Sequence, residues 1–389
     1  MRVLVNSVSQ TGHLAPLLPL AEAFAARGDE VLVATAPEAA EVLARHGLGF
    51  RAVGRDTTDW FATLGRRTRG KPGDGVPPER VIGYWVPRLF GEVGMALVVD
   101  DLLAVARDFG PDVLIYESTS FAAPLVAALI GAQPVHHTFG SVLDPEVLEL
   151  TRDAVSPTWR EFGLDVPPAA GLLGGPTVNL LPPGLGAQWE GVVDNVFLRP
   201  CALPMAEVPA LPVEYADPGR PLVYVTMGTL MNRDFDLFGE ILAALADEPV
   251  NVLVTIGREN DPAQLEPVPA NARVQRFIPQ AEVLPHCAAV IHHAGAGTMF
   301  GVLSHGLPSV ALPQGADNFD NGAMMADAGT AILLMPGQVN AQAITAALRA
   351  VMGSPDYRQR AGQVADEVRA MPSPAEVAEI LATRFGHKP

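Results

Sequence analysis

The sequence predicts an α/β protein made of two successive units, each a parallel sheet covered by helices. Three observations carry this. Short, continuously apolar β-branched runs alternate with helical patterns in both halves. The 389 residues exceed what one ordinary core organises. A proline-dense stretch over 201–219 separates two such alternations. The expected boundaries are a first domain over 1–200, a linker over 201–219, a second domain over 220–370, and a terminal helix over 371–389 that packs back on the first domain.

Residues 2–7 (RVLVNS) read as a strand buried on both faces. A loop over 8–13 follows, then a helix over 14–27, a strand over 30–35, a helix over 37–46 and a strand over 50–53, which implies parallel pairing through right-handed crossovers. The first turn supplies Gly12 but no G-x-G-x-x-G, so a nicotinamide or flavin dinucleotide is not expected there. It does supply His13, beyond the carboxyl end of the first strand, where open α/β sheets keep their ligands. Residues 55–75 turn polar and Gly-rich and read as a mobile loop, with Arg66, Arg67, Arg69 and Lys71 as a solvated basic run. Tyr84, Trp85 and Phe90 follow, serving either an apolar acceptor or ordinary core packing, and then a helix over 96–109.

The strand over 111–116 presents Glu117 at its end. In a doubly wound sheet the first and fourth strands end close together, which brings Glu117 towards His13. A carboxylate on one ring nitrogen fixes the imidazole tautomer and makes the other nitrogen a better proton acceptor, so the pair reads as a general base and its partner. A helix over 121–130, a strand over 134–137, a helix near 144–161 and a strand over 177–181 complete this half. His136 and His137 would point to opposite faces of their strand, which makes a poor metal pair.

The second half repeats the pattern, with strands over 221–226, 250–256, 273–278, 289–292 and 309–312 and helices over 235–246, from 279, 298–305 and 318–328. Its tail reads as helices broken at Gly353-Ser-Pro355 and Met371-Pro-Ser-Pro374. The most informative stretch is Val290-Ile-His-His-Ala-Gly-Ala-Gly-Thr298. Gly295, Ala296 and Gly297 have little or no side chain, so a ligand oxygen can reach the unpartnered N–H groups of a helix N-terminus, whose dipole suits an anion. Thr298 adds a hydroxyl, and His293 a ring N–H or a positive charge. Tight packing of a strand-to-helix turn is the competing reason for glycine there. Asp317 and Asn318 fall at the same rim, a carboxylate beside an amide suited to sugar hydroxyls, although Asp317 serves equally as an N-cap.

Charge and cysteine content narrow the partners. Lys+Arg 26 against Asp+Glu 43 gives a net −17, which opposes nucleic acid and anionic membranes, so an anionic ligand must be held locally. Cys201 and Cys287 form no CxxC and imply neither a disulfide framework nor a thiolate metal site, which fits a cytoplasmic protein. The opening apolar run is too short for a signal peptide, and residues 113–132 are interrupted by Glu117 and Pro124, so no membrane span is expected. His286, His292, His293 and His305 include no carboxylate-flanked H-x-x-x-H, so no metal is expected.

Taken in order, Gly12-His13-Leu-Ala-Pro-Leu-Leu-Pro-Leu-Ala21, Val225-Thr-Met-Gly-Thr229, Phe277-Ile-Pro-Gln280, His292-His-Ala-Gly-Ala-Gly-Thr298 and Pro313-Gln-Gly-Ala-Asp-Asn-Phe-Asp-Asn321 resemble the GT-B nucleotide-sugar glycosyltransferases that decorate small lipophilic molecules, bacterial natural-product enzymes above all. The resemblance spans nearly the whole chain. It implies two Rossmann-like domains with a cleft between them and an inverting transfer from a nucleotide-sugar co-substrate, with no other cofactor and no metal. It further implies that His13 deprotonates the acceptor hydroxyl and that Glu117 stands where relatives more often have aspartate. Phe277 would stack on the donor base, Ile278 offer backbone hydrogen bonds and Gln280 face the pentose. Gly228, Thr229, His293, Gly295, Ala296, Gly297 and Thr298 would hold the diphosphate, Asp317 and Asn318 the sugar, and Tyr84, Trp85 and Phe90 the lipophilic acceptor. Many relatives have glutamine in place of Asn318.

One departure bears on the donor. Relatives that use UDP-glucose often carry a glutamate eight residues after the diphosphate histidine, where it bonds the pentose hydroxyls; here the residue is Gly301. Glycine cannot read a 2′-hydroxyl, so a dTDP-deoxysugar is expected in preference to UDP-glucose. The rivals are a UDP-glucose-dependent enzyme, an epimerase or lipid-linked sugar transferase of the same architecture, and a catalytically silent nucleotide-sugar-binding protein. The pattern is compatible with a homodimer.

Overall fold

A computed structural model of the chain describes residues 1–68, 73, 75–77, 80–140, 142–186, 191–200, 211, 214–215, 217–229 and 232–386. The chain divides into two units, Met1–Leu181 with Gln188–Cys201 and Met371–Pro389, and Pro182–Ala187 with Ala202–Ala370. Most of the expected linker (201–210, 212–213 and 216) lies outside the described residues, as do Arg69 and Lys71 of the basic run.

In the first unit the strands are β1 (Arg2–Asn6), β2 (Glu30–Thr35), β3 (Gly49–Ala52), β4 (Val113–Glu117), β5 (Gln133–His137), β6 (Thr177–Asn179) and β7 (Asn195–Phe197), all parallel in the order β3-β2-β1-β4-β5-β6-β7. Val3, Leu4, Val5, Leu114 and Ile115 are buried because β1 and β4 are central strands covered by helices on both faces. Of the segment expected over 55–75 to be a mobile loop, 69–72 and 74 lie outside the described residues, and most of the rest is instead the helix Thr57–Thr68. Its composition is loop-like, but Trp60 and Leu64 stand one turn apart and are both buried, while Phe61, Arg66 and Arg67 face outward, so the 3.6-residue period decides. A helical turn Val81–Trp85 leads into a π-helical stretch Val86–Gly94 and then the helix Met95–Phe109. At Gly94 any Cβ would lie 2.5 Å from the Trp60 ring, so glycine is what lets Trp60 lie against this segment.

The terminal helix Pro374–Phe385 opens with a reciprocal cap between Ser373 and Glu376. It packs on the helix Leu18–Ala26, with Glu379 paired to Arg27 at that helix's end and, at 2.6 Å, Arg384 paired to Asp194 just before β7.

The second unit repeats the plan with β8 (Leu222–Thr226), β9 (Asn251–Thr255), β10 (Ala272–Gln275), β11 (Cys287–His292), β12 (Ser309–Ala311) and β13 (Ala331–Leu333), parallel in the order β10-β9-β8-β11-β12-β13. Helices Ala341–Gly353 and Pro355–Ala370 are separated at Ser354, where proline stops one helix and starts the next. Residues 182–187 belong to this unit, with the Gly184 carbonyl accepting from Arg360 Nη2 at 2.6 Å. Each sheet therefore has its own strand-order reversal, between β1 and β4 in one and between β8 and β11 in the other, which is where open α/β sheets bind ligands.

Candidate active site

In the first unit, β1 and β4 are hydrogen-bonded neighbours with Asn6 opposite Tyr116, so the turns that follow them open at the same edge. His13 lies in a helical turn, Thr11–Leu14, and not in the expected loop, because the Gln10 carbonyl accepts from the N–H groups of both His13 and Leu14 and starts the helix early. The turn aims the imidazole at the end of β4. Its Nδ1 stands 3.4 Å from Glu117 Oε2 and 3.1 Å from Thr119 Oγ1.

Glu117 is fully buried and heavily hydrogen-bonded. It accepts from the N–H groups of Val8 (3.3 Å) and Thr119 (2.6 Å) and from the hydroxyls of Thr119 (2.9 Å to each oxygen) and Ser120 (2.8 Å). Burial opposes its ionisation, but the neighbouring His13 imidazole, the Thr119 N–H and the Ser120 hydroxyl outweigh burial and hold the carboxyl below its usual range. The carboxylate is thus the ionised partner expected beside a base.

The His13 ring lies between Phe90, at 5.6 Å between centroids, and Phe139, at 4.4 Å. Of the three aromatics expected at the acceptor, the structure brings only Phe90 against His13. Tyr84 and Trp85, both partly exposed, pack edge-on against each other, with Phe61 edge-on to Trp85 and the Arg88 guanidinium over Tyr84. A small cavity of about 20 Å³, lined by Val8, Trp60, Phe90, Met95, Val98 and Phe121, adjoins this edge. Sequence reasoning missed Trp60 and Phe139; the spacing of Trp60 and Leu64 was the available signal for the first, and Phe139 carried none.

In the second unit β11 ends at His292, and the chain turns through Ala294 in a left-handed conformation with φ 63° before the helix Ala296–Ser304. For a non-glycine residue that conformation costs about 1–2 kcal/mol. It is held by the Ala294 N–H donating to His292 Nδ1 at 3.0 Å and the Ala294 carbonyl accepting from Asn321 Nδ2, also at 3.0 Å. Asn321, fully buried, donates at 2.9 Å to Asp317 Oδ2 as well. Gly295 caps the helix with no side-chain bond, so its first N–H groups remain available to a ligand. At Gly297, in the first turn of the helix, an added Cβ would meet nothing within 4 Å, so the space beside that residue is open.

The His293 ring sits between two glycines. A Cβ at Gly228, where φ is +70°, would lie 2.5 Å from its Nε2, and one at Gly295 only 2.3 Å from the same atom. Burial, partly offset by a hydrogen bond with the Thr226 backbone, lowers its pKa to about 4, so at neutral pH the ring is uncharged and does not bring the positive charge considered from sequence. The turn carrying Gly228 and the exposed Thr229 is held by Asn232 Nδ2, which donates to both carbonyls at 3.0 and 3.2 Å. Thr298 is nearly buried, and its hydroxyl accepts from Gln280 Nε2 at 2.9 Å.

Phe277 is 43% exposed, and the Arg258 guanidinium lies 3.6 Å over its ring centroid, a partner the sequence reading did not foresee. Ile278 is buried. Asp317 occupies the N-cap position of the helix Asn318–Asp327 without bonding that helix's N–H groups; its carboxylate meets Asn321, so the capping alternative is not realised. Asn318 is 3% exposed, with its Nδ2 lacking a partner among the described residues. Among those residues no three His, Cys, Asp or Glu side chains gather as a metal-ligand set, and no helix is long and apolar enough to cross a membrane.

Residues 239–383 match the family described as Erythromycin biosynthesis protein CIII-like, C-terminal domain. Over its length the chain is similar to the elloramycin glycosyltransferase ElmGT of Streptomyces olivaceus, with 32% identity covering 99% of this chain and 98% of that one. It is also similar to the tylactone mycaminosyltransferase of Streptomyces fradiae, with 29% identity over 98% and 92%. The fold is similar to the crystal structure of the Streptomyces sp. SF2575 glycosyltransferase SsfS6 complexed with thymidine diphosphate, with a TM-score of 0.78, 23% identity and coverage of 98% and 99%.

Proposed function

This chain belongs to the bacterial natural-product glycosyltransferases, and on that premise we propose that it moves a deoxysugar from a dTDP-sugar to a small lipophilic acceptor with inversion at the anomeric carbon. The observation that carries the reading is the pairing of His13 with an ionised, buried Glu117 at the edge of one sheet, and of a glycine-built, uncapped helix N-terminus at the equivalent edge of the other.

His13 Nε2 takes the proton of the acceptor hydroxyl as its oxygen forms a bond to the anomeric carbon. The bond from that carbon to the diphosphate breaks on the opposite side, and dTDP leaves with both electrons. The N–H groups at the start of the helix Ala296–Ser304 receive the charge that builds on it, so the chain's own helix dipole does this work. Asp317 and Asn318 take the sugar hydroxyls, Phe277 and Gln280 the nucleoside, and Phe90 packs against an apolar acceptor.

A thymidine donor is favoured by position 301. An added Cβ there would lie 2.9 Å from Leu284 Cδ1 and 3.6 Å from Gln280 Oε1, so a pentose-reading glutamate would have to displace Leu284. The similar SsfS6 is known with thymidine diphosphate bound.

The test is His13→Ala, assayed with dTDP-deoxysugars and UDP-glucose against aromatic polyketide and macrolide aglycones. Turnover should fall about 10²–10⁴-fold, while dTDP affinity measured by calorimetry stays within about twofold. Undiminished turnover would remove His13 as the base. Tight binding of UDP with none of dTDP would reverse the donor assignment in favour of UDP-glucose, and a parent protein that binds nucleotide-sugar without transfer would make it a silent binder.

A further inference from the structure

We propose that Thr119 is a positioning residue of the proton-accepting site, its hydroxyl interposed between Glu117 and His13 so that the base is set by a three-membered chain and not by direct contact of carboxylate and imidazole. The inference rests on the functional reading above for the role of His13, but its geometry is independent of donor and acceptor.

Glu117 Oε2 stands 3.4 Å from His13 Nδ1, long for a charge-assisted N–H···O bond, which ordinarily measures about 2.7–2.9 Å. Thr119 Oγ1 is closer to the ring, at 3.1 Å, and also 2.9 Å from both carboxylate oxygens. The donors and acceptors then leave one arrangement. An ionised carboxylate only accepts, so the single hydroxyl proton of Thr119 must be donated to Glu117. The hydroxyl oxygen is left as an acceptor towards His13, and the only group there that can donate is Nδ1–H. The neutral ring is therefore protonated at Nδ1 and bare at Nε2, the form required of a base.

Glu117 has little capacity for a further strong bond. Its Oε1 already accepts from the Val8 N–H and the Ser120 hydroxyl besides Thr119, and its Oε2 from the Thr119 N–H. The Glu117 side chain folds back onto the turn Ser118–Ser120 that follows β4, and the threonine of that turn faces the imidazole. No proton crosses the chain; when His13 becomes imidazolium, Nδ1–H keeps its acceptor and the carboxylate stays ionised.

The experiment compares the parent protein with Thr119→Val, which is nearly isosteric and keeps the backbone N–H, and with Thr119→Ser, which keeps the hydroxyl. Thermal unfolding first establishes that both fold. Long-range proton–nitrogen correlation spectra of ¹⁵N-histidine-labelled protein, recorded near pH 8.5, about two units above the ordinary imidazole value, report the His13 tautomer, with His13→Gln identifying its signals. The parent and Thr119→Ser should show the Nδ1–H form alone, and Thr119→Val a mixture of both tautomers. In transfer assays Thr119→Val should lower kcat about 10–100-fold with KM changed less than threefold, and Thr119→Ser should recover most of it. A pure Nδ1–H tautomer in Thr119→Val would overturn the proposal and leave Glu117 as the sole determinant. If the parent transfers no sugar, the functional reading fails, while the spectra still decide the role of Thr119.

Discussion

Gly297→Ala separates the two reasons for glycine at the start of the helix Ala296–Ser304. The residue is the second of that helix, and an added Cβ would meet no atom within 4 Å, so a methyl group fits the empty protein without strain. Replacing a helical glycine by alanine gains about 0.5–1 kcal/mol. In domains of this size that is a rise in Tm of about 1–4 °C. If the open space receives the diphosphate, the same methyl blocks the approach to a backbone N–H. A hydrogen bond to a charged group contributes about 1.5–3 kcal/mol, so its loss weakens dTDP binding about 10–100-fold. Scanning calorimetry without ligand and titration calorimetry with dTDP read the two effects separately. Raised Tm with weakened binding is the expected pair; raised Tm with unchanged affinity would mean the ligand does not use this helix end, and the seat would have to be abandoned.

Gly228→Ala should do the opposite, because its Cβ would strike the His293 ring at 2.5 Å in a left-handed backbone conformation; we expect a loss of about 2–4 kcal/mol in urea unfolding, and a neutral result would exclude the glycine sandwich. Acid should destabilise both units. Burial lowers His136 and His292 to about 3 and His137 and His293 to about 4, against about 6.5 unfolded, so the folded chain holds fewer protons throughout that window and stability falls as pH drops below 6.5. At about 1.4 kcal/mol per pH unit for each ring, urea midpoints should decline steeply from pH 6.5 to 5, and pH-independent midpoints would contradict the burial. Gly301→Glu should shift the ratio of UDP to dTDP affinity towards UDP, at a small cost in stability from displacing Leu284, 2.9 Å from the added Cβ; an unchanged ratio would show that position 301 does not face the pentose.

The strands were legible because runs such as Val3-Leu-Val5 and Val113-Leu-Ile115 are apolar and β-branched on both faces, and this pattern survives any tertiary context. The terminal helices were legible because Pro355 and Pro374 each stop one helix and open the next. The helix Thr57–Thr68 was hidden by its polar outer face, where composition spoke louder than the two buried residues one turn apart. The three-residue strands β7 and β13 were not read from the sequence, whereas β6 and β12, equally short in the structure, lie within the longer runs read over 177–181 and 309–312. At the site, His13, Glu117 and the glycines around His293 could be placed from chain order because strand ends in a doubly wound sheet are predictable. Thr119, Phe139, Arg258 and Asn321 could not, since their positions depend on rotamers and on a left-handed alanine that no sequence rule marks as a turn.

That alanine has a further consequence. Ala294 is clamped from both sides, by a histidine nitrogen on its N–H and by a fully buried asparagine on its carbonyl. If this turn seats the diphosphate as proposed, its mould is cast when the domain folds and does not await its guest. Binding then requires little backbone rearrangement, on the order of 1 Å or less, and the entropy of ordering this loop is settled before the nucleotide arrives. Loosening the clamp, as Asn321→Ala would, transfers that ordering to the moment of encounter and weakens the grip without removing a single ligand contact.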